Sequence, residues 1–504
     1  MKGKVYIIGA GPGDPGLITV KGTQCLEKAD VVIYDHLVSE EILRHVTGAA
    51  RFIYAGKEGG AHTLTQDQIN VRLVEEAQKG KIVARLKGGD PFIFGRGGEE
   101  ADVLAEAGIP FEVIPGVTSA IAVPAYAGIP LTHRGYTSAV AFVTGHERPD
   151  KDESAIDWER LSGIGTLVFL MGVKNLPRIT AELIKHGRSP DTPAALIRWG
   201  TTPEQQTLTG TLQDICQKAE AIRFLPPAIL VVGEVTSLRD RLNWFEKKPL
   251  FGKGIVITRP GDQAGPFAAL LREQGARVIL FPTIRIVPVE DQRGMDKAIA
   301  GIEAYHWIIF TSANGVRHFF QRIKELKRDI RDLKSIRICA IGPATAEMIE
   351  ALGIRVDVVP DEFISEGVVK AFEKLDMEGK NVLLPRAEKA RDVIPEGLVK
   401  LGARVDVVAV YKTVGSGRHK TELEDLMKEG RVDVITFTSP STVHHFIEIM
   451  GGSGAVESSV KIACIGPVTA AAVKQAGLNI NIMQERYTIP GLVDALMEYY
   501  SDNG

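Results

Sequence analysis

Val5-Tyr-Ile-Ile-Gly9-Ala-Gly11-Pro-Gly13-Asp14-Pro-Gly16 is a β-branched run that empties into glycines, and the fold class turns on what those glycines are for. A strand followed by Gly9 and Gly11 suggests a dinucleotide fingerprint, with Asp35 at the next strand end as the acid for a ribose. The pattern fails at its third glycine, because position 14 is Asp and because Pro12 and Pro15 stiffen the turn. The helix does not open on these glycines as a pyrophosphate site requires. Taken alone the run is a tight turn that either touches a ligand or only reverses the chain, and the missing third glycine argues against a nicotinamide oxidoreductase. Working outward, Val31-Val-Ile-Tyr, Leu167-Val-Phe-Leu, Ile229-Leu-Val-Val and Ile255-Val-Ile-Thr alternate with helical stretches. That rhythm predicts α/β structure along the whole chain. A second glycine turn, Lys87-Gly88-Gly89-Asp90-Pro91, ends the strand Val83-Ala-Arg-Leu and lets a ligand approach bare backbone with one carboxylate beside it. Taken alone it is better read as a strand-to-helix turn. No Gly-Lys-Ser/Thr closes either loop, so neither is a nucleotide P-loop.

The chain has 504 residues, enough for roughly three domains. Its 60 Lys and Arg against 63 Asp and Glu leave no basic excess to neutralise a nucleic acid or a membrane surface. Cys25, Cys216, Cys339 and Cys464 lie far apart, without CxxC or zinc spacing, and read as reduced, mostly buried thiols with no metal. Met1-Lys-Gly-Lys-Val-Tyr enters a strand directly, and no apolar run approaches the roughly 18 residues of a membrane span. A soluble, cytoplasmic protein is expected.

The rhythm breaks at Leu242-Asn-Trp-Phe-Glu-Lys-Lys-Pro-Leu-Phe-Gly-Lys-Gly254, which puts a boundary near residue 249. Beyond it the sequence repeats. Arg259 and Arg386, Gly275 and Gly402, and Phe310 and Phe437 are each 127 apart, while Gly342 and Gly466 are 124 apart. Two similar α/β lobes follow, and a period this long means a duplicated domain. In each lobe Thr-Ser (Thr311-Ser312; Thr438-Ser439) and Gly-Pro-x-Thr (Gly342 to Thr345; Gly466 to Thr469) begin helices, where hydroxyls and amides attract anions or merely cap. Capping is the reading adopted for the first lobe.

In the first half Gly11-Pro-Gly-Asp-Pro-Gly-Leu-Ile-Thr19, Val32-Ile-Tyr-Asp35-His-Leu-Val-Ser39, Gly56-Lys57, Leu86-Lys-Gly-Gly-Asp-Pro-Phe-Ile-Phe-Gly-Arg-Gly-Gly98, Pro115-Gly-Val-Thr-Ser119, Gly128-Ile-Pro-Leu-Thr-His-Arg134 and Met171-Gly172 occur in one order. Together they resemble the uroporphyrinogen-III C-methyltransferases of the tetrapyrrole methylase superfamily. The resemblance implies two α/β subdomains, a homodimer, and S-adenosylmethionine bound at Pro12, Gly88, Gly89, Asp90, Ile93, Thr118, Ser119, Met171, Gly200 and Ala228. Methyl transfer to an electron-rich pyrrole carbon needs positioning and one base to remove a proton. Asp35 is the candidate base, with Lys57 donating a proton or holding a carboxylate; a surface ion pair of the two is the alternative. A substrate with eight carboxylates needs cationic clamps, for which Arg134 and Arg85 are preferred to Arg96. His133 is expected to support the Arg134 loop.

In the second half Ile257-Thr-Arg-Pro260, Ile309-Phe-Thr-Ser-Ala-Asn-Gly315, Val410-Tyr-Lys-Thr413, Phe437-Thr-Ser-Pro-Ser441 and Cys464-Ile-Gly-Pro-Val-Thr-Ala470 resemble uroporphyrinogen-III synthase. That resemblance implies duplicated flavodoxin-like parallel-sheet lobes, no cofactor, and cyclisation of hydroxymethylbilane with inversion of the terminal ring. Tyr411 is the candidate acid, or else an ordinary strand tyrosine, and Ser439 and Thr469 are candidate substrate contacts. The expected organisation is a methylase at 1–248, with subdomains at about 1–115 and 116–248, and a synthase at 249–504. Lobe one would hold about 253–284 and 414–504, and lobe two about 285–413. The expected function is bifunctional: uroporphyrinogen III is made in the second half and methylated twice to precorrin-2 in the first. The alternative is an active methyltransferase with a non-catalytic, tetrapyrrole-sensing C-terminal module.

Overall fold

A computed structural model describes residues 3–56, 64–145, 156–415, 420–484 and 486–502. Two compact units divide the chain at Gly254, with the short stretch Leu270–Arg277 and the end of the chain from Met497 grouped with the first. Among the described residues the architecture is α/β, built on four five-stranded sheets.

The first sheet contains β1 (Lys4–Gly9), β2 (Val31–Tyr34), β3 (Arg51–Tyr54), β4 (Ile82–Lys87) and β5 (Phe111–Ile114) in the order β3-β2-β4-β1-β5. All of its pairings are parallel. Parallel strands are covered on both faces, which is why Val31, Val32 and Ile33 are uninterrupted apolar residues at most 3% exposed. In β1 the period of two sends Val5 and Ile7 into one apolar cluster and Ile8 into the other. The second sheet is mixed: β6 (Val140–Thr144), β7 (Thr166–Leu170), β8 (Pro193–Arg198), β9 (Gln206–Thr211) and β10 (Ala228–Val232) run in the order β6-β7-β10-β8-β9. Only β6 and β7 pair in parallel there; β7, β10, β8 and β9 alternate in direction.

The other two sheets carry the repeat. One takes β11 (Gly254–Ile257) and β12 (Arg277–Leu280) and returns, after the whole of the other, for β18 (Val434–Phe437), β19 (Lys461–Cys464) and β20 (Ile482–Met483). Between them lie β13 (Ile284–Pro288), β14 (Trp307–Phe310), β15 (Arg337–Ala340), β16 (Asn381–Ala387) and β17 (Arg404–Gly415), ordered β13-β17-β16-β14-β15. The 12-residue β17 pairs in parallel with β16 and, farther along, antiparallel with β13 in the register Ile284↔Gly415 to Pro288↔Tyr411. Cys339 and Cys464 are 0% exposed, and burial pushes both thiols up to about 12, so neither is an available nucleophile. No helix among the described residues is long and apolar enough to cross a membrane.

Candidate functional site

The glycine turns after β1 and β4 are held to each other by backbone. Gly11 and Gly89 form an antiparallel bridge, with the Gly89 amide donating to the Gly11 carbonyl at 2.7 Å and the Gly11 amide to the Gly89 carbonyl at 3.2 Å. A Cβ on Gly116 would collide with the Gly89 carbonyl oxygen and lie 2.6 Å from the Gly9 Cα. Three backbones therefore pack where side chains would normally keep them apart. Gly89 also has φ +70°, which favours glycine, and its open side faces the Ser119 amide, 3.7 Å from where a Cβ would sit. Asp90 locks the arrangement: Oδ1 accepts from the Phe92 and Ile93 amides (2.8 and 3.1 Å), and Oδ2 accepts from the Gly116 amide at 3.0 Å. Thr118, 8% exposed, caps the helix Ser119–Tyr126.

The second sheet brings its own loops to this place. The Asp14 amide donates to Thr201 Oγ1 at 3.0 Å, and Tyr126 Oη donates to Asp14 Oδ2 at 2.7 Å. Burial, then that hydrogen bond to the carboxylate, drives the Tyr126 phenol well above its usual range, so it is a fixed donor. A Cβ on Gly200 would collide with Val123 of the same helix, and the Trp199 amide donates to the Pro227 carbonyl at 3.4 Å, one residue before Ala228. Ile229 pairs with Leu170, which sets Ala228 beside the residue that follows β7, Met171. Five of the seven described non-glycine residues with positive φ (Phe94, Arg96, Met171, Trp199 and Thr201) sit in these loops. Backbone strain of that kind concentrates at ligand sites.

Asp35 follows β2. Its Oδ1 accepts from the Leu37 amide at 3.2 Å, its Oδ2 lies 3.8 Å from Arg85 Nη2, and its side chain is 27% exposed. In the C-terminal unit Tyr411 Oη lies 3.0 Å from Ser312 Oγ and stacks on His318 at 5.8 Å. Ser312 and Ser439 cap their helices, accepting from Gly315 (3.0 Å) and Thr442 (3.4 Å), and Ser439 also meets Ser441 at 2.9 Å.

Comparisons with known proteins find two families along the chain. The family model for Tetrapyrrole (Corrin/Porphyrin) Methylases matches residues 4–216, and that for Uroporphyrinogen-III synthase HemD matches residues 265–494. A porphyrin biosynthesis protein HemD of Ruminiclostridium josui is 39% identical over 99% of this chain and 99% of its own length. The chain belongs to the tetrapyrrole methylases through its first half and to the uroporphyrinogen-III synthases through its second. A uroporphyrinogen-III C-methyltransferase of Bacillus subtilis is 43% identical over 69% of this chain and 71% of its own. A solved uroporphyrin-III C-methyl transferase of Thermus thermophilus, complexed with S-adenyl homocysteine, is 38% identical and spans 47% of this chain and all of its own, with a TM-score of 0.41. The protein is thus an enzyme of tetrapyrrole biosynthesis with a methyltransferase half and a synthase half.

In the methylase half nine of the ten expected cofactor contacts lie in these loops or at a paired strand end, and the tenth, Ser119, opens the helix that Thr118 caps. Lys57 lies outside the described residues. Arg134 is exposed, and among the described residues no carboxylate pairs with it. His133 does support that loop: its Nδ1 accepts from the Gly135 amide at 3.1 Å. Arg96 pairs with Glu99 at 2.6 Å. Arg85 requires a correction. It is 3% exposed and donates to Glu100 and to two backbone carbonyls, so it holds Asp35 from behind and is not a free clamp for substrate carboxylates. In the synthase half Thr469 lies in the first turn of the helix Pro467–Gln475 and is 3% exposed as a residue.

No local pattern in the sequence marks the buried acid behind Arg85. Glu100, 0% exposed, receives Arg85 Nε (3.1 Å), Lys87 Nζ (2.8 Å) and Gln66 Nε2 (3.1 Å) on one oxygen, while the other is buried with no partner among the described residues. Burial pushes the Glu100 carboxyl up, but Arg85, Lys87 and their hydrogen bonds outweigh it and hold the group below its usual range. Burial pushes the Lys87 ammonium down. Glu100→Gln leaves buried Lys87 without its ion-pair partner and Arg85 with only the more distant Asp35, and is expected to cost about 3–5 kcal/mol. A carboxyl held low stabilises fully above its unfolded value, about 4.3, and that contribution fades as pH falls through the folded value. Calorimetry of the full chain should therefore show a gap between wild type and Glu100→Gln that is wide at pH 7 and narrows below about pH 4. An equal gap at both ends would contradict the assignment.

Proposed function

We propose that the methylase half transfers two methyl groups from S-adenosylmethionine to uroporphyrinogen III, giving precorrin-2. The synthase half closes hydroxymethylbilane to uroporphyrinogen III with inversion of ring D. The observation that carries the first assignment is the open backbone cradle at Gly89, beside Thr118 and Ser119 and underlain by the close-packed backbones of Gly9 and Gly116. Such a cradle admits a ligand against main-chain amides, which suits S-adenosylmethionine. Bound there, that cofactor would supply a methyl group already activated on a sulfonium sulfur.

The chain's own residues supply position and proton removal. Gly88, Gly89 and Asp90 with Thr118 and Ser119 hold the cofactor from the first sheet; Met171, Gly200 and Ala228 hold it from the second, with Pro12 and Ile93 at the margin. Asp35, steadied by Arg85 and the Leu37 amide, takes the proton that leaves the methylated ring. Lys57 and Arg134 meet substrate carboxylates. In the synthase half the Tyr411 phenol, held by Ser312, gives a proton to the departing hydroxyl, and Ser439 meets a carboxylate. The domains divide at about 248, and the synthase lobes comprise about 253–284 with 414–504, and 285–413. The protein acts as a cytoplasmic homodimer, a reading supported by the methylase resemblance and by four cysteines without disulfides. Its product serves siroheme or cobalamin synthesis.

Mass spectrometry of uroporphyrinogen III incubated with the protein and S-adenosylmethionine tests the methylase assignment. Addition of two methyl groups is expected. Unmodified substrate with bound cofactor would overturn it.

A further inference from the structure

The roles above leave unused two aromatic side chains at equivalent positions of the repeat. Phe363 and Tyr487 are 124 residues apart, the offset that also relates Gly342 to Gly466 and Gly367 to Gly491. Each lies on the glycine of its own lobe's Gly-Pro turn. A Cβ on Gly342 would come within 3.2 Å of Phe363 Cβ and 3.3 Å of its Cγ, and one on Gly466 within 2.8 Å of Tyr487 Cδ1. The two glycines are seats for rings, since any side chain there would lift the ring away.

Seated on one side, the rings are nevertheless 57% and 60% exposed, the most exposed Phe, Tyr or Trp among the described residues of the synthase half. A single exposed aromatic residue needs no explanation. The same exposure at both copies of a duplicated position, on anchored loops, is different. Gln484, 7% exposed, donates to the Ile465 carbonyl (3.3 Å) and the Thr488 carbonyl (2.7 Å), tying the segment that carries Tyr487 to the end of β19. On the Phe363 side the Ile364 amide donates back to the Glu362 carbonyl at 2.9 Å.

The seats also lie at the right edge of each sheet. Gly342 and Gly466 follow the C-terminal ends of β15 and β19, the edge at which open parallel sheets receive ligands. The corresponding edges of the two lobes meet where Gln263, after β11, donates to Asn314 Oδ1, after β14, at 3.3 Å. The substrate's chemistry matches: a linear tetrapyrrole carries its carboxylates on the ring rims and leaves flat faces free for stacking.

We infer that Phe363 and Tyr487 contact the substrate of the synthase half, each stacking on a pyrrole face, one from each lobe. This rests on the cyclisation reading of that half. The full chain should be assayed with hydroxymethylbilane as wild type, Phe363→Ala, Tyr487→Ala, the double variant and Tyr487→Phe, with products resolved by isomer. Each Ala variant is expected to raise KM by roughly threefold to tenfold and to release more type I isomer, the double variant more than either single one. Tyr487→Phe keeps the ring and should stay near wild type. Methylation of added uroporphyrinogen III should be unchanged in all of them, which verifies that the chain is folded. An unchanged KM and isomer ratio in the double variant would overturn the inference. A wild type that yields only type I isomer would bring down the cyclisation reading and this inference with it.

Discussion

Asp35→Asn is expected to slow methyl transfer about 100-fold or more while leaving cofactor affinity unchanged. Asn has nearly the shape of Asp and keeps the oxygen that accepts from the Leu37 amide, so the turn after β2 survives. What disappears is the charge facing Arg85 and the capacity to take a proton. The cofactor cradle is built from other segments, so titration with S-adenosylhomocysteine should give the wild-type affinity. A wild-type rate would make Asp35 only the ion-pair partner of a buried arginine.

Gly89→Asp should have the opposite signature, a folded chain that no longer binds the cofactor. Asp tolerates a left-handed backbone better than most residues, and at Gly89 a Cβ meets nothing closer than 3.7 Å, so the fold should persist with a slightly lowered Tm. The carboxylate would project toward Ser119 and Thr118, into the space against bare backbone that the cofactor needs. Calorimetric titration with S-adenosylhomocysteine is expected to lose at least about 100-fold in affinity, about 2.7 kcal/mol. Cyclisation in the other half supplies the control for an intact chain. Affinity within about threefold of wild type would mean that the cofactor does not lie against Gly89.

Much of this was legible in the sequence because the signals are local. Parallel strands buried on both faces are written as continuous Val and Ile, as in Val31-Val-Ile, and the duplicated lobes could be found by comparing residue offsets. The glycine turns announced bare backbone. What stayed hidden depends on partners far along the chain. Arg85 looked like a clamp because nothing in Val-Ala-Arg-Leu says that Glu100, on a helix that begins at Gly97, lies behind it. Ser312 caps its helix, as its place after the strand suggests, but Tyr411 also reaches it from 99 residues away. Tyr126 finds Asp14 across 112 residues. Local pattern carries no such pairing, because it arises only when the sheets assemble.

The most direct test of the central claim is a coupled assay that begins from hydroxymethylbilane, with and without S-adenosylmethionine, and resolves products by isomer and by mass. The account predicts type III uroporphyrinogen without the cofactor and its dimethylated product with it. Type I isomer alone, with added uroporphyrinogen III still methylated, would contradict it and leave the C-terminal half a tetrapyrrole-binding module.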